Sequence, residues 1–254
     1  ATLVPGLLWS FLNGNAIHAA HLAEILYFDT PTAPKVFDAS IESSLNPGEV
    51  SMTSNELTDS ERQLLEDFGW RDRVSLDTGI WVDVRRQLLT VIKNGEIEWR
   101  AACATAKAGT GSLENSNQTP LGWHHVEQKI GDDAPWGQVF RARVASDEIW
   151  KSGDDISEDL VLTRLLWLSG DEPGINQGLD ASGLNVDSKS RFIYIHGTND
   201  EAKIGTPSSH GCIRLMNDDV ITLFANTALN TPVLITAQPL SDTQAHETSE
   251  PNIS

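Results

Sequence analysis

The chain is poor in basic residues. Its 18 Lys and Arg stand against 36 Asp and Glu, a formal net charge of −18 over 254 residues. So acidic a surface repels nucleic-acid phosphates and anionic lipid headgroups, which excludes both as expected partners. Cysteine is nearly lacking too. Only Cys103 and Cys212 are present, which excludes a disulfide-built scaffold and a Cys-rich zinc site. Long apolar runs are missing: the most apolar stretch, 7–28, is interrupted by Asn13, Asn15, His18, His21 and Glu24. No transmembrane segment is expected there. No signal peptide is visible, because no basic segment precedes an apolar one at the start of the chain. What the chain does have is 39% hydrophobic residues, enough for the core of one large domain with an appendage.

Residues 1–76 read as an N-terminal extension and linker with short helices. Ile17, Leu22, Ile25 and Leu26 have helical spacing, and 30–55 is rich in Pro, Ser, Thr and Asn. Thr58 with Glu61 forms a capping-box pattern ahead of the Leu64, Leu65, Phe68 stripe, and Gly69 can stop that helix. From Ile80 the pattern turns to strands. Ile80, Val82 and Val84 alternate, and 88–92, Asn94-Gly95 and 96–102 give a strong hairpin signal. A small-residue loop is expected over 109–117 and further strands over 139–144, 160–168, 192–196 and 232–236. Asn217 is expected to cap a short helix through Val220, Leu223 and Phe224. Many strands and few helices make 77–238 a mainly β domain, followed by a polar tail over 239–254.

Two segments carry the chemistry: Tyr194-Ile195-His196-Gly197-Thr198 and Ser208-Ser209-His210-Gly211-Cys212-Ile213-Arg214. A cysteine attacks as thiolate and needs a base nearby. His196 ends a predicted strand. Cys212 follows a glycine in a tight turn, where the N–H groups of Gly211 and Cys212 would form an oxyanion hole. The residues alone leave the base open between His196 and His210.

The two segments together resemble the signature of the L,D-transpeptidase catalytic (YkuD) family: a His, a spacer, then Ser/Thr-His-Gly-Cys. Thr119-Pro120-Leu121-Gly122-Trp123 resembles the family's Thr-Pro-x-Gly-aromatic segment. The hairpin over 80–102 and the strand over 162–168 resemble its opening and central strands. The resemblance covers residues 77–238. It implies a β-sandwich of mixed sheets with short helices and needs no metal or other cofactor. Cys212 is then the nucleophile and His196 the base, with the Gly197 carbonyl orienting the site. His210 supports the thiol, and Ser209 and Gly211 lie around the oxyanion position. Arg214 stands where the commonest form of the motif has Asn and would pair with a substrate carboxylate, with Tyr194 and Thr198 as further substrate-binding candidates.

The implied substrates are peptidoglycan stem peptides. The acyl group passes from the third stem residue, usually diaminopimelate, to an amine, either on another stem or on a protein being anchored to the wall. The alternative is a carboxypeptidase or endopeptidase that hands the acyl group to water. An inactive wall-binding module would have lost Cys212 or His196. Carbapenems are expected to acylate Cys212, and the periplasm or cell envelope is the expected location.

Blander readings accompany the sharp ones. Arg214 also fits a structural ion pair, His210 a loop-shaping role and Cys103 core filler. The His18, His21, Glu24 spacing fits a solvated face better than a metal site, and His124-His125 suits a loop. Trp123 and Trp136 are the tryptophans best placed to line a cleft.

Overall fold

The computed structural model describes residues 55–74 and 78–240. The 16–28 helical pattern and the His18, His21, Glu24 trio lie outside them. Helix α1 (Asp59–Asp67) begins as its sequence dictates. The Thr58 hydroxyl accepts from Glu61 N–H at 3.2 Å, and Glu61 Oε2 accepts from Thr58 N–H at 2.9 Å. Gly69, at φ +68°, turns the chain into the short α2 (Trp70–Arg73).

The strands are β1 (Thr78–Asp83), β2 (Leu88–Lys93), β3 (Glu96–Ala102), β4 (Gly122–Ile130), β5 (Gln138–Arg141), β6 (Val144–Ile149), β7 (Val161–Gly170), β8 (Tyr194–Gly197) and β9 (Ile213–Leu215). After them come α3 (Asn217–Asn226) and β10 (Pro232–Thr236). They form one mixed sheet in the order β3-β2-β1-β10-β4-β7-β5-β6, with β8 paired to β7 and β9 to β8.

Both faces of the central strands are covered, which gives the sandwich-like layering. Ile80 and Val82 of β1 and Val233 and Ile235 of β10 join a core with β7, β8, β9 and α3. The alternate residues Trp81 and Leu234 face a second core built with Leu64, Leu65 and Trp70. Period-two alternation therefore feeds two cores rather than a core and solvent. The helical segment before β1 is packed on the sheet through this second core. An ion-pair cluster reinforces the contact, as Glu61 is 1% exposed and accepts from Arg86 Nη1 at 2.7 Å and Arg100 Nη2 at 2.6 Å.

Three local expectations are corrected. Residues 139–144 are not one strand. Ala142 and Arg143 take φ +48° and +70° and fold the segment into the β5–β6 hairpin, a turn for which the sequence carries no Asn or Gly signal. Asn217 does not cap α3. It is the helix's first residue, and its side chain is buried against Thr163 and the Thr198 carbonyl, while the Glu201 carboxylate accepts from its backbone N–H at 2.8 Å. His124-His125 lies in β4, not in a loop. The two rings face opposite ways, His124 to the Ser188 hydroxyl and His125 to Asp171 and Glu127.

Candidate active site

Strand β7 positions the site. It runs antiparallel to β8, with Leu165 opposite His196 and Trp167 opposite Tyr194, and β8 runs parallel to β9, with His196 opposite Arg214. Tyr194 and His196 are two residues apart and share a face of β8. Cys212, one residue before β9, falls beside Tyr194. Its Sγ accepts from Tyr194 N–H at 3.4 Å and its S–H donates to the Phe192 carbonyl at 3.4 Å. Cys212 also packs against the cluster formed by Phe140, Leu165 and Tyr194.

Each neighbour has a local cause. Gly211 takes φ +131°, and a Cβ there would meet the Gln118 carbonyl and Ile193 at 3.3 Å each, so only glycine fits the turn before the thiol. Thr119, from the Thr-Pro-x-Gly-aromatic segment, donates to the Gly211 carbonyl at 2.9 Å and braces that turn. Ser209 Oγ donates to the Cys212 carbonyl at 2.6 Å and accepts from Gly211 N–H at 3.2 Å. The Gly211 N–H is therefore engaged, contrary to the expectation of two free donors. Gly197 is required by space, because a Cβ would lie 2.3 Å from Asn217 Oδ1.

His196 is buried, and its Nδ1 is 2.7 Å from the Gly197 carbonyl. A carbonyl can only accept, so Nδ1 carries the proton and Nε2 is left as a basic acceptor. Burial pushes the His196 imidazole down to about 4, against the pull of the Gly197 carbonyl and Asp159. Burial pushes the Cys212 thiol up to about 11, with the Tyr194 N–H, Arg214 and Arg191 opposing. At neutral pH these shifts leave Cys212 as a thiol and His196 as a neutral imidazole.

His210 and Arg214 converge on a residue that the sequence reading missed. Asp159 accepts from His210 Nδ1 at 2.9 Å and pairs closely with Arg214. Arg214 is 3% exposed, and its charge is matched by the carboxylate of Asp159 at the surface, as in the structural ion-pair reading. Asp159 lies 51 residues before His210 in an acidic run, with no local signal to mark it. Thr198 is also buried. Its hydroxyl accepts from Asp200 N–H at 3.1 Å and shapes the loop after β8. Tyr194 forms the wall of the site.

The tryptophans named for a cleft are elsewhere. Trp123 is buried against Trp70, with its indole N–H on the Phe68 carbonyl, and Trp136 stacks on Trp150. A small cleft of about 170 Å³ lies beside the site, lined among others by Glu114, Asn117, Arg191, Phe192 and His210. Cys103, fully buried, is core filler.

Similarity to known proteins agrees with this arrangement. The L,D-transpeptidase catalytic domain family, YkuD, matches residues 77–235. The chain is 46% identical over 59 residues to the putative L,D-transpeptidase YqjB of Bacillus subtilis, covering 23% of this chain and 31% of that protein. It is 46% identical over 141 residues to the probable L,D-transpeptidase ErfK/SrfK of Salmonella typhimurium, covering 52% of this chain and 40% of that protein. The chain thus spans well under half the length of these relatives. An L,D-transpeptidase structure from Mycobacterium smegmatis aligns at 15% identity and a TM-score of 0.38, over 63% of this chain and 59% of that one. Among the described residues, no helix is long and apolar enough to cross a membrane. With the family's match running from β1 to β10 and taking in both site segments, the chain belongs to the L,D-transpeptidase catalytic domain family.

Proposed function

We propose that the chain is a cysteine-dependent acyltransferase that acts on peptidoglycan stem peptides in the cell envelope, with Cys212 as nucleophile and His196 as general base. One observation carries the reading. The β8–β9 pairing sets the Cys212 sulfur against Tyr194, two residues from a buried histidine whose Nδ1 is tied to the Gly197 carbonyl. In this reading Cys212 Sγ attacks the carbonyl carbon of the third stem residue, and the thiol proton passes to His196 Nε2. The tetrahedral intermediate collapses and expels the terminal D-Ala amine, which takes that proton. A thioester on Cys212 remains. An acceptor amine then attacks the thioester and gives its proton to His196, and the thiolate leaves and regains a proton from the imidazolium.

With the Gly211 N–H engaged by Ser209, the Cys212 N–H is the donor assigned to the developing oxyanion. The Asp159 contact supports His210 as a residue that shapes the rim, and Arg214 serves the fold rather than the substrate. The test is mass spectrometry of a disaccharide-tetrapeptide incubated with wild type and with Cys212→Ala. D-Ala loss with a cross-linked dimer, in wild type only, is the expected result. D-Ala loss without a dimer, with an amine acceptor supplied, would favour the carboxypeptidase. No change in either sample, together with no mass shift of the protein after carbapenem treatment, would overturn the reading.

A further inference from the structure

We propose that Arg143, at the tip of the β5–β6 hairpin, receives a substrate carboxylate next to the scissile bond and so selects acidic acyl donors. The inference rests on the acyl-transfer reading of Cys212. Arg143 lies on an aromatic shelf, its guanidinium carbon 4.8 Å from the Trp167 ring centre and 4.7 Å from that of Phe192. The shelf is itself ordered. Trp167 and Phe192 lie 6.0 Å apart, and Tyr194 meets Trp167 edge-on at 5.7 Å. A guanidinium held over aromatic rings keeps N–H groups, whose fork fits a carboxylate, for a ligand.

The shelf also touches the thiol. The Phe192 carbonyl accepts from Cys212 S–H and the Tyr194 N–H donates to Cys212 Sγ, both at 3.4 Å. The cation is therefore one residue removed from the sulfur.

Three further observations separate Arg143 from an ordinary surface arginine. It has no carboxylate within 4.0 Å among the described residues, although the chain carries twice as many acidic as basic side chains. Two residues earlier, Arg141 pairs with both Glu148 and Glu158. The one hydrogen bond of the Arg143 side chain among the described residues is a long one, 3.5 Å to Tyr194 Oη. The backbone is also held in unfavourable geometry to put it there, with Ala142, Arg143 and Phe192 at φ +48°, +70° and +59°. For non-glycine residues, and above all for a bulky one, such conformations persist where the surroundings enforce them.

As Arg214 is committed to Asp159, so Arg191, a further cation beside the site, is committed elsewhere. It donates to the Gly111 carbonyl at 3.3 Å, the Ser116 hydroxyl at 3.3 Å and the Gln118 carbonyl at 2.8 Å, and so clamps the wall of the cleft. Arg191 also opposes the rise of the Cys212 thiol. Arg143, whose one side-chain hydrogen bond among the described residues is the long one to Tyr194, is the cation left for a ligand.

Two carboxylates of a stem tetrapeptide flank the scissile bond: the free side-chain carboxylate of a third-position diaminopimelate and the α-carboxylate of the terminal D-Ala. Binding is measured by calorimetry with Cys212→Ala and with Cys212→Ala/Arg143→Gln. The ligands are the unmodified disaccharide-tetrapeptide and two forms amidated at one carboxylate or the other. Arg143→Gln is expected to weaken the unmodified peptide about 10- to 100-fold, the range for a lost charge-assisted bond. It should barely affect the form amidated at the contacted carboxylate, and that form identifies the source. Arg143→Lys, which keeps the charge but not the planar fork, should recover part of the affinity.

An equal effect on all three peptides, or none, would overturn the inference. Wild-type turnover of the same peptides separates it from the reading beneath. Turnover with no Arg143 dependence of binding sinks the inference alone. Arg143-dependent binding without turnover sinks the acyl-transfer reading alone. Neither binding nor turnover sinks both.

Discussion

The two ends of the sheet bring the backbone into the same unusual region by different means. Between β2 and β3, Asn94 and Gly95 take φ +55° and +81°, and both residue types tolerate positive φ, so the turn is explained within itself. Around β7 and β8, Ala142, Arg143, Thr163 and Phe192 take φ +48°, +70°, +68° and +59°. Each such residue costs about 1–3 kcal/mol and is held by what surrounds it. Thr163 is fixed by the Gly137 N–H at 3.0 Å and by Asn217 at 2.5 Å. The β2–β3 turn is built by local preference, whereas the backbone beside Cys212, like Gln87 (φ +50°) between β1 and β2, is held by tertiary contact.

The largest expected effect tests whether chemistry is confined to the second end. His196→Gln should lower kcat/KM by about two to four orders of magnitude, the usual contribution of a general base, while His210→Gln should lower it far less. Equal losses in a D-Ala release assay would move the base role toward the Asp159–His210 pair. Next is Glu61→Ala at the opposite end, expected to cost about 3–5 kcal/mol in denaturant unfolding because it leaves the buried Arg100 without a carboxylate, while Arg86 keeps Asp83. The rate of Cys212 alkylation in the folded protein should not change. Burial pushes Glu61 up, but bonds from Arg86, Thr58 N–H and Arg100 outweigh it and leave its carboxyl below the usual range. A depressed carboxylate stabilises fully above its unfolded value near ~4.3, and the contribution is lost as pH falls through the lower folded value. Wild type should therefore lose more stability than the variant on acidification through that window.

A smaller effect distinguishes the two thiols. Burial raises both Cys103 and Cys212, Cys212 to about 11, but only Cys212 keeps an open edge and an N–H donor at its sulfur. Iodoacetamide should modify Cys212 alone, at a rate still climbing above pH 9. A rate already level from pH 6 would mean a thiolate–imidazolium pair at rest, and the neutral pair described above would be wrong.

The same division governs what the sequence reveals. Thr58, Glu61 and Gly69 mark α1, Asn94-Gly95 marks the hairpin, and the spacing from His196 to Cys212 marks the site, because each signal acts within a few residues or is carried by a specific motif. The Ala142–Arg143 turn left no trace, since neither residue favours positive φ. Asn217 read as a cap because a capping residue and a buried hydrogen-bonding residue look alike until Thr163, 54 residues away, is brought beside it. Asp159 was hidden in an acidic run. Trp123 read as a cleft residue because nothing local showed that Trp70 would cover it.

The smallest effect bears most directly on whether the strained end is strained for the sake of the site. Phe192→Gly removes the cost of positive φ at that position, about 1 kcal/mol or more. It also removes the ring that packs on Trp167 and under Arg143, contacts worth about 0.5–1.5 kcal/mol, and adds the chain entropy of a glycine, about 0.5–1 kcal/mol. These terms nearly cancel, so the midpoint of denaturant unfolding should move little. The rate of Cys212 alkylation should nonetheless change, because the carbonyl that accepts the thiol proton then belongs to a residue free to leave its conformation. A shifted midpoint with unchanged alkylation would show that the ring serves the packing and that the φ of Phe192 is incidental to the thiol. A steady midpoint with altered alkylation would show that this end of the sheet is held in its conformation by the fold and used by Cys212.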